Sequence, residues 1–299
     1  MRLGALLCLA LLAACSGKKV VVERVDVDDE GLKEAPDLAW PEATAKSELE
    51  AQLKKAHFTL LGDGETAPDH SVRMKLELQV AEDEADDLGP DEIDGGGASP
   101  AAVEVGASLE LRIKGDPERR TLTETGRRKV NGEGLEERRT ALQGAAKSAL
   151  EKLSGEAYAL VKASTMNDDE LVKQLDARSL SDKHAAVRIL AERKNKAAVA
   201  PLLEQLKLDD DNLVRQAIGQ LVDIGDPRAV PGMIEAAHGK NEIFQREVVF
   251  AVGAIGGEDA EAYLFTVSSG SPSDSLRAAA DQSLKELKAR QAKNEDAGS

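Results

Sequence analysis

The chain has 299 residues, of which 55 are acidic and 39 basic, a net charge of −16, and only 2% are aromatic. It is long enough for two domains, and its core must be built from Leu, Val, Ile and Ala. Such a charge argues against nucleic-acid binding, which runs on clustered Lys and Arg, and against electrostatic adhesion to anionic lipid. The two cysteines, Cys8 and Cys15, leave no pair beyond residue 15 for a disulfide or a Cys-based zinc site.

Met1-Arg2 gives a short positive start, and Leu3 to Ala14 is an apolar run. A spanning helix needs roughly 20 apolar residues, so this run is too short to cross a bilayer and reads as a signal peptide. Its end, Leu12-Ala13-Ala14-Cys15, resembles the lipoprotein box of bacterial lipoproteins. The resemblance implies removal of residues 1–14 and acylation of Cys15 by diacylglycerol and an amide-linked chain such as palmitate. Each buried methylene contributes about 0.8 kcal/mol, and stable anchoring takes more than one chain, a threshold this modification passes. Ser16 follows, and in that family a residue other than Asp here implies the outer membrane, facing the periplasm. The other reading of Cys15 is a small apolar residue near an ordinary secretory cleavage site.

Residues 15–40 read as an anchor linker, with a possible first strand in the valine-rich stretch KKVVVERVDV at 18–27. A small α/β domain follows over 41–165. Pro41 opens a helix to about residue 56 with Leu49, Leu53 and Ala56 on one stripe, and His57 to Leu61 form a strand. Val72, Met74, Leu76, Leu78 and Val80 alternate with polar residues; so do Val103, Val105, Leu109, Leu111 and Ile113, with a shift expected near Gly106. These are half-buried antiparallel strands. Between them, residues 82–99 carry eight acids and no base and read as a mobile loop. The acids lack the spacing of a calcium loop. A strand within residues 119–130, patterned over Leu122 to Val130, and a helix over 134–163, open to interruption at Gly155, complete the domain. The element order is similar to that of small periplasmic α/β domains in bacterial lipoproteins, including activators of cell-wall synthases. Order alone carries no function.

Residues 166–291 change character. Asn212 to Gly225, Phe244 to Gly256 and Ser275 to Leu284 align, with Arg215, Arg246 and Arg277 spaced 31 residues apart. Arg188, 27 residues before Arg215, is taken as the same position in a shorter copy. A fixed period with two helical patterns in each copy is the signature of an α-solenoid. Gly225-Asp226-Pro227-Arg228-Ala229-Val230-Pro231 ends one helix with Gly and opens the next with Pro. This stretch resembles the HEAT-like repeats first described in phycobilisome lyases, over about four helix pairs. The repeat arginines read as structural, pairing with an acid of the neighbouring copy such as Asp182, Asp211 or Glu242, or else as a ladder facing an acidic partner. The small residues Ala217, Gly219, Ala251, Gly253, Ala278 and Ala280 read as close helix contacts. Residues 292–299 read as a disordered tail.

No catalytic motif appears. His57, His70, His184 and His238 lack metal-ligand spacing and none precedes a Glu. There is no GxSxG elbow, phosphate loop or GxGxxG. The expectation is therefore an α+β N-terminal domain followed by an all-α solenoid of HEAT-like pairs, in a lipid-anchored, non-catalytic, cell-envelope scaffold without cofactor or metal. Both halves of the mature chain are acidic, so a partner bound electrostatically presents a basic surface. The alternative is an enzyme, or enzyme subunit, with a site between the two domains.

Overall fold

Alternation of apolar and polar residues builds the first half of the chain. The computed structural model describes residues 19–28, 30–34, 38–62, 64–81, 102–132, 134–208 and 211–297. The expected signal peptide 1–14, the expected lipidation site Cys15 and the acidic loop 82–99 lie outside these residues. The chain divides into two units, Met1–Val161 and Lys162–Ser299.

In the first unit, strands β1 (Val21–Val27), β2 (Thr59–Leu60), β3 (Val72–Ala81), β4 (Ala102–Ile113) and β5 (Arg119–Lys129) form one sheet in the order β2-β1-β3-β4-β5. β1 runs parallel to both its neighbours, and β3, β4 and β5 form an antiparallel meander. β1 thus lies inside the sheet, and the valine-rich stretch belongs to the domain rather than to a linker. β4 alternates without a break: Ala107 takes the inward position between Val105 and Leu109, so the shift expected near Gly106 does not occur.

One face of the sheet is apolar and carries helices α2 (Glu42–Lys55) and α3 (Leu135–Ser164), which follow the short α1 (Glu30–Glu34). Leu49 and Leu53 of α2 and Leu142, Leu150 and Leu153 of α3 are fully buried with Met74, Leu76 and Leu109 of the strands. Each such side chain contributes about 1.5–3 kcal/mol on burial. Gly126 is where the helix meets the sheet. A Cβ there would stand 1.9 Å from the Ala145 carbonyl oxygen, so only glycine admits the contact. Gly155 leaves α3 unbroken, because buried Leu150, Leu153, Ala157 and Leu160 pack the turns on both sides of it and outweigh the roughly 1 kcal/mol cost of one glycine.

The other sheet face is polar and its charges pair across strands, Arg73 with Glu23 at 2.5 Å and Lys75 with Asp28 at 2.7 Å. β5, the last strand in the order, is guarded at its edge. Arg119, Arg128 and Lys129 are exposed along it, and the Lys152 ammonium donates to the Thr125 carbonyl at 3.2 Å. Charged edges of this kind oppose pairing with a stray strand. β5 begins at Arg119, where the expected stretch 119–130 begins. The inward Arg120, opposite Leu111, keeps its guanidinium satisfied by Asp116 at 2.8 Å.

The second unit is four helix pairs: α4 (Asp168–Gln174) with α5 (Leu180–Glu192), α6 (Val199–Gln205) with α7 (Asp211–Ile224), α8 (Val230–Ala236) with α9 (Glu242–Ile255), and α10 (Glu258–Gly270) with α11 (Asp274–Ala297). The fold is thus an α+β unit followed by an all-α run of repeats. Residues 292–297, expected as a disordered tail, continue α11.

The period of 31 holds through all four pairs. Leu171, Leu202, Met233 and Leu264 occupy one register of the first helices, and each is fully buried. Beside them, Val172, Leu203, Ile234 and Phe265 recur at the same spacing. Leu203 packs sideways on the next pair, since a Cβ at Gly232 would stand 2.6 Å from its Cδ2. The turns that follow the second helices share a register as well. Lys194, Gly225 and Gly256 all have positive φ, at 56°, 67° and 79°. Glycine reaches that region without strain, and Lys194 adopts it at a cost.

Candidate protein-interaction groove

The second helix of each pair carries the repeat arginines, and the turn register tells which of them correspond. Counting back 31 residues from Arg215 leads to His184, which is exposed on α5. Arg188 is one turn further along, so it is not the counterpart of the other three. It corresponds instead to Gly219, Phe250 and Asp281. Ala186-Val187-Arg188 imitates Leu213-Val214-Arg215 in residue type, whereas the turn geometry keeps the full period.

The arginines do not form a uniform ladder. Arg188 pairs within its own helix, with Glu192 at 3.4 Å. Arg215 Nε reaches Glu247 Oε2 on α9 at 2.8 Å, and its guanidinium lies 5.6 Å from the centre of the Phe244 ring. Arg246 donates to Ser275 Oγ at 3.4 Å, and Arg277 bonds Asp274 and the Ser271 carbonyl. Arg215 pairs with an acid of the neighbouring pair, and that acid is Glu247, which is not among the expected Asp182, Asp211 and Glu242; Arg246 reaches the Ser275 hydroxyl across the next junction.

The small residues also divide. Gly253 is a true close contact, since a Cβ there would be 2.8 Å from Ser283 Cβ on α11. Gly219 is not: its Cβ would meet nothing within 4 Å. α7 and α9 therefore part above Gly219, and a groove of about 440 Å3 opens between them. Ile218, Val222 and Ala251 supply apolar lining, Arg215 and Glu247 stand at one end, and Asp223 stands at the other. Phe250, 42% exposed, occupies the same helix position on α9 that Gly219 holds on α7.

The registers differ in kind. Buried positions repeat the same chemistry, as in Leu171, Leu202, Met233 and Leu264. One outer register of the second helices changes from a half-buried cation at 188 to a gap at 219, an exposed ring at 250 and an exposed acid at 281. A surface with a constant scaffold and varied exposed chemistry is suited to recognising a partner.

The turn below α7 is rigid. Asp226, 3% exposed, accepts from the Arg228 backbone N–H at 3.0 Å and from the Arg228 guanidinium at 2.6 Å. Those bonds outweigh the opposing effect of burial and hold its carboxyl down to about 2. At the equivalent turn one repeat earlier, Asn195 caps a 3-10 turn and donates to Asp168, whose carboxyl is lowered by Arg193 and then by Asn195. These groups lock the pairs in register.

The histidines are dispersed. His57, with a φ of 73°, follows α2 and meets the Tyr158 ring edge-on at 6.0 Å. His70 lies in a turn, His184 is on α5, and His238 follows α8. Among the described residues no three His, Cys, Asp or Glu side chains are grouped as metal ligands, and no helix is long and apolar enough to cross a membrane.

A family model for HEAT repeats matches residues 168–243, from the start of α4 to the first residues of α9. The matched stretch contains Arg188, Arg215 and Gly219, and the helix pairs continue with the same period beyond it to α11. Residues 168–243 are thus similar to HEAT repeats, a class that commonly mediates protein–protein contact. The chain has no significant match among curated proteins.

Proposed function

We propose that this chain is a protein-interaction scaffold of the bacterial cell envelope, anchored by lipid at Cys15 and non-catalytic. The observation that carries the reading is the groove between α7 and α9, open above Gly219 and set in a run of HEAT-like pairs. A short solenoid displays such a face to a partner without needing a reactive group. The anchor rests on Leu12-Ala13-Ala14-Cys15 after an apolar run, and on the absence of any later cysteine in the sequence. It would hold the repeats beside the outer membrane, facing the periplasm, where a partner with a basic surface meets an acidic protein.

Cross-linking in intact cells, followed by purification of the full chain from membranes, tests the scaffold. A defined partner should be recovered with the native chain and lost when residues 168–291 are removed. Recovery of the same partners without the repeats would overturn the reading.

A further inference from the structure

The end of α9 shows what chemistry the end of α7 lacks. Arg290 of α11 donates its guanidinium to the carbonyl oxygens of Gly253 and Ala254, the latter at 3.0 Å, and so caps the last turn of α9. One period back, those two carbonyls are those of Val222 and Asp223. α11 reaches α9 because it runs on to Ala297, whereas α9 stops at Ile255, too early to do the same for α7. The last turn of α7 contains no basic residue. The Asp223 carboxylate adds a negative charge there, is exposed, and has no ion-pair partner among the described residues. A helix C-terminus favours a cation even without that carboxylate. Val222 and Asp223 line the groove, and the open space over Gly219 is one turn away.

We propose that the α7–α9 groove binds a partner-protein segment carrying an arginine beside a bulky apolar side chain. The arginine caps the carbonyls of Val222 and Asp223 and pairs with the Asp223 carboxylate. The apolar side chain fills the space over Gly219, against Ile218, Val222 and Ala251. Arginine suits this end better than lysine, because its planar fork bonds two acceptors at once, as Arg290 does on α9. The proposal rests on the scaffold reading and names the partner chemistry of its groove.

The test uses the purified full chain in detergent and a fluorescein-labelled helical peptide of Ala and Gln carrying one Leu and, one turn on, one Arg. Binding is read by fluorescence anisotropy. The peptide should bind saturably, and replacing its Arg by Gln should weaken binding about tenfold or more, the scale of a charged hydrogen bond. Asp223→Asn should weaken the Arg peptide to a similar extent and leave the Gln peptide unaffected, since the two groups act as a pair. Gly219→Leu should abolish binding by filling the groove, with circular dichroism confirming the fold; if that variant does not fold, the Asp223→Asn and peptide comparisons decide alone. Equal affinity for the Arg and Gln peptides, no saturable binding, or a native chain that dimerises through this groove would overturn the proposal. Cellular partners that are lost with residues 168–291 but retained by Asp223→Asn and Gly219→Leu would sink this inference and leave the scaffold standing.

Discussion

Arg215 Nε donates to Glu247 Oε2 at 2.8 Å, joining the second helices of adjacent repeats at one end of the groove. Both side chains are about 40% exposed, and exposed pairs contribute at most about 1 kcal/mol. The Arg215→Ala variant is expected to lose about that much in urea unfolding, with the loss shrinking in high salt. Phe244→Ala, which empties a fully buried ring position beneath Arg215, is expected to cost about 3–5 kcal/mol. A larger loss from Arg215 than from Phe244 would show that charge, not packing, joins these repeats.

Lys194 stands where Gly225 and Gly256 stand in the next two turns, and it holds a φ of 56°. A left-handed side chain costs about 1–2 kcal/mol, and glycine returns part of that through its greater freedom in the unfolded chain. Lys194→Gly is therefore expected to raise stability by up to about 1 kcal/mol, and Lys194→Ala to leave it nearly unchanged. Thermal melts of both variants check this.

Asp226 is ionised down to a pH of about 2, against an ordinary value of 3.8, because Arg228 bonds the charged form. A carboxyl lowered in the folded state gives stability that is fully present above its unfolded value. That stability is lost as the pH falls through the folded value. Asp226→Asn keeps a capping oxygen but removes the charge. The stability gap between native chain and variant should be constant at neutral pH and close between about pH 4 and pH 2. Asp226→Ala removes the cap as well and should cost about 1–2 kcal/mol at neutral pH.

Gly126 marks the closest approach of α3 to the sheet. The Gly126→Ala variant drives a methyl group into the backbone at Ala145, a contact that no side-chain rotamer can relieve. Overpacking of this kind costs about 1–3 kcal/mol or more. Urea unfolding should show the loss in the first unit, with the melting of the repeats unchanged if the two units unfold independently.

The anchor has its own measurement. Mass spectrometry of the mature chain is expected to find an acylated cysteine as the first residue, and Cys15→Ser is expected to move the protein out of the membrane fraction. An unmodified N-terminus beginning elsewhere would leave the groove intact and remove the envelope anchor.

Much of the architecture is legible in the sequence because it depends on period alone. A spacing of two exposes the faces of β3 and β4, and a spacing of 31 exposes the helix pairs, with Gly225-Asp226-Pro227 marking one turn. The recurring apolar register at Val172, Leu203, Ile234 and Phe265 was available to the same reading, because it obeys the same spacing. The short copy at Arg188 was a false alignment of like residues. Only the positive φ of Lys194, a residue that does not announce a turn as glycine does, restores the period.

The sequence by itself determined the two halves, the count of repeats, the acidic surface and the place of the last cysteine, since these follow from composition and spacing. The tertiary structure alone decided that Gly253 is filled and Gly219 is empty. They stand at different positions of the 31-residue period, and spacing alone does not tell which of the two a neighbouring helix fills. The difference lies in what crosses above: Ser283 of α11 packs on Gly253, whereas α9 leaves the space over Gly219 open. Which helix end is capped was decided in the same way, by the length of a neighbouring helix: α11 carries Arg290 to the carbonyls at the end of α9, whereas α9 ends at Ile255 and places no equivalent arginine on those of α7.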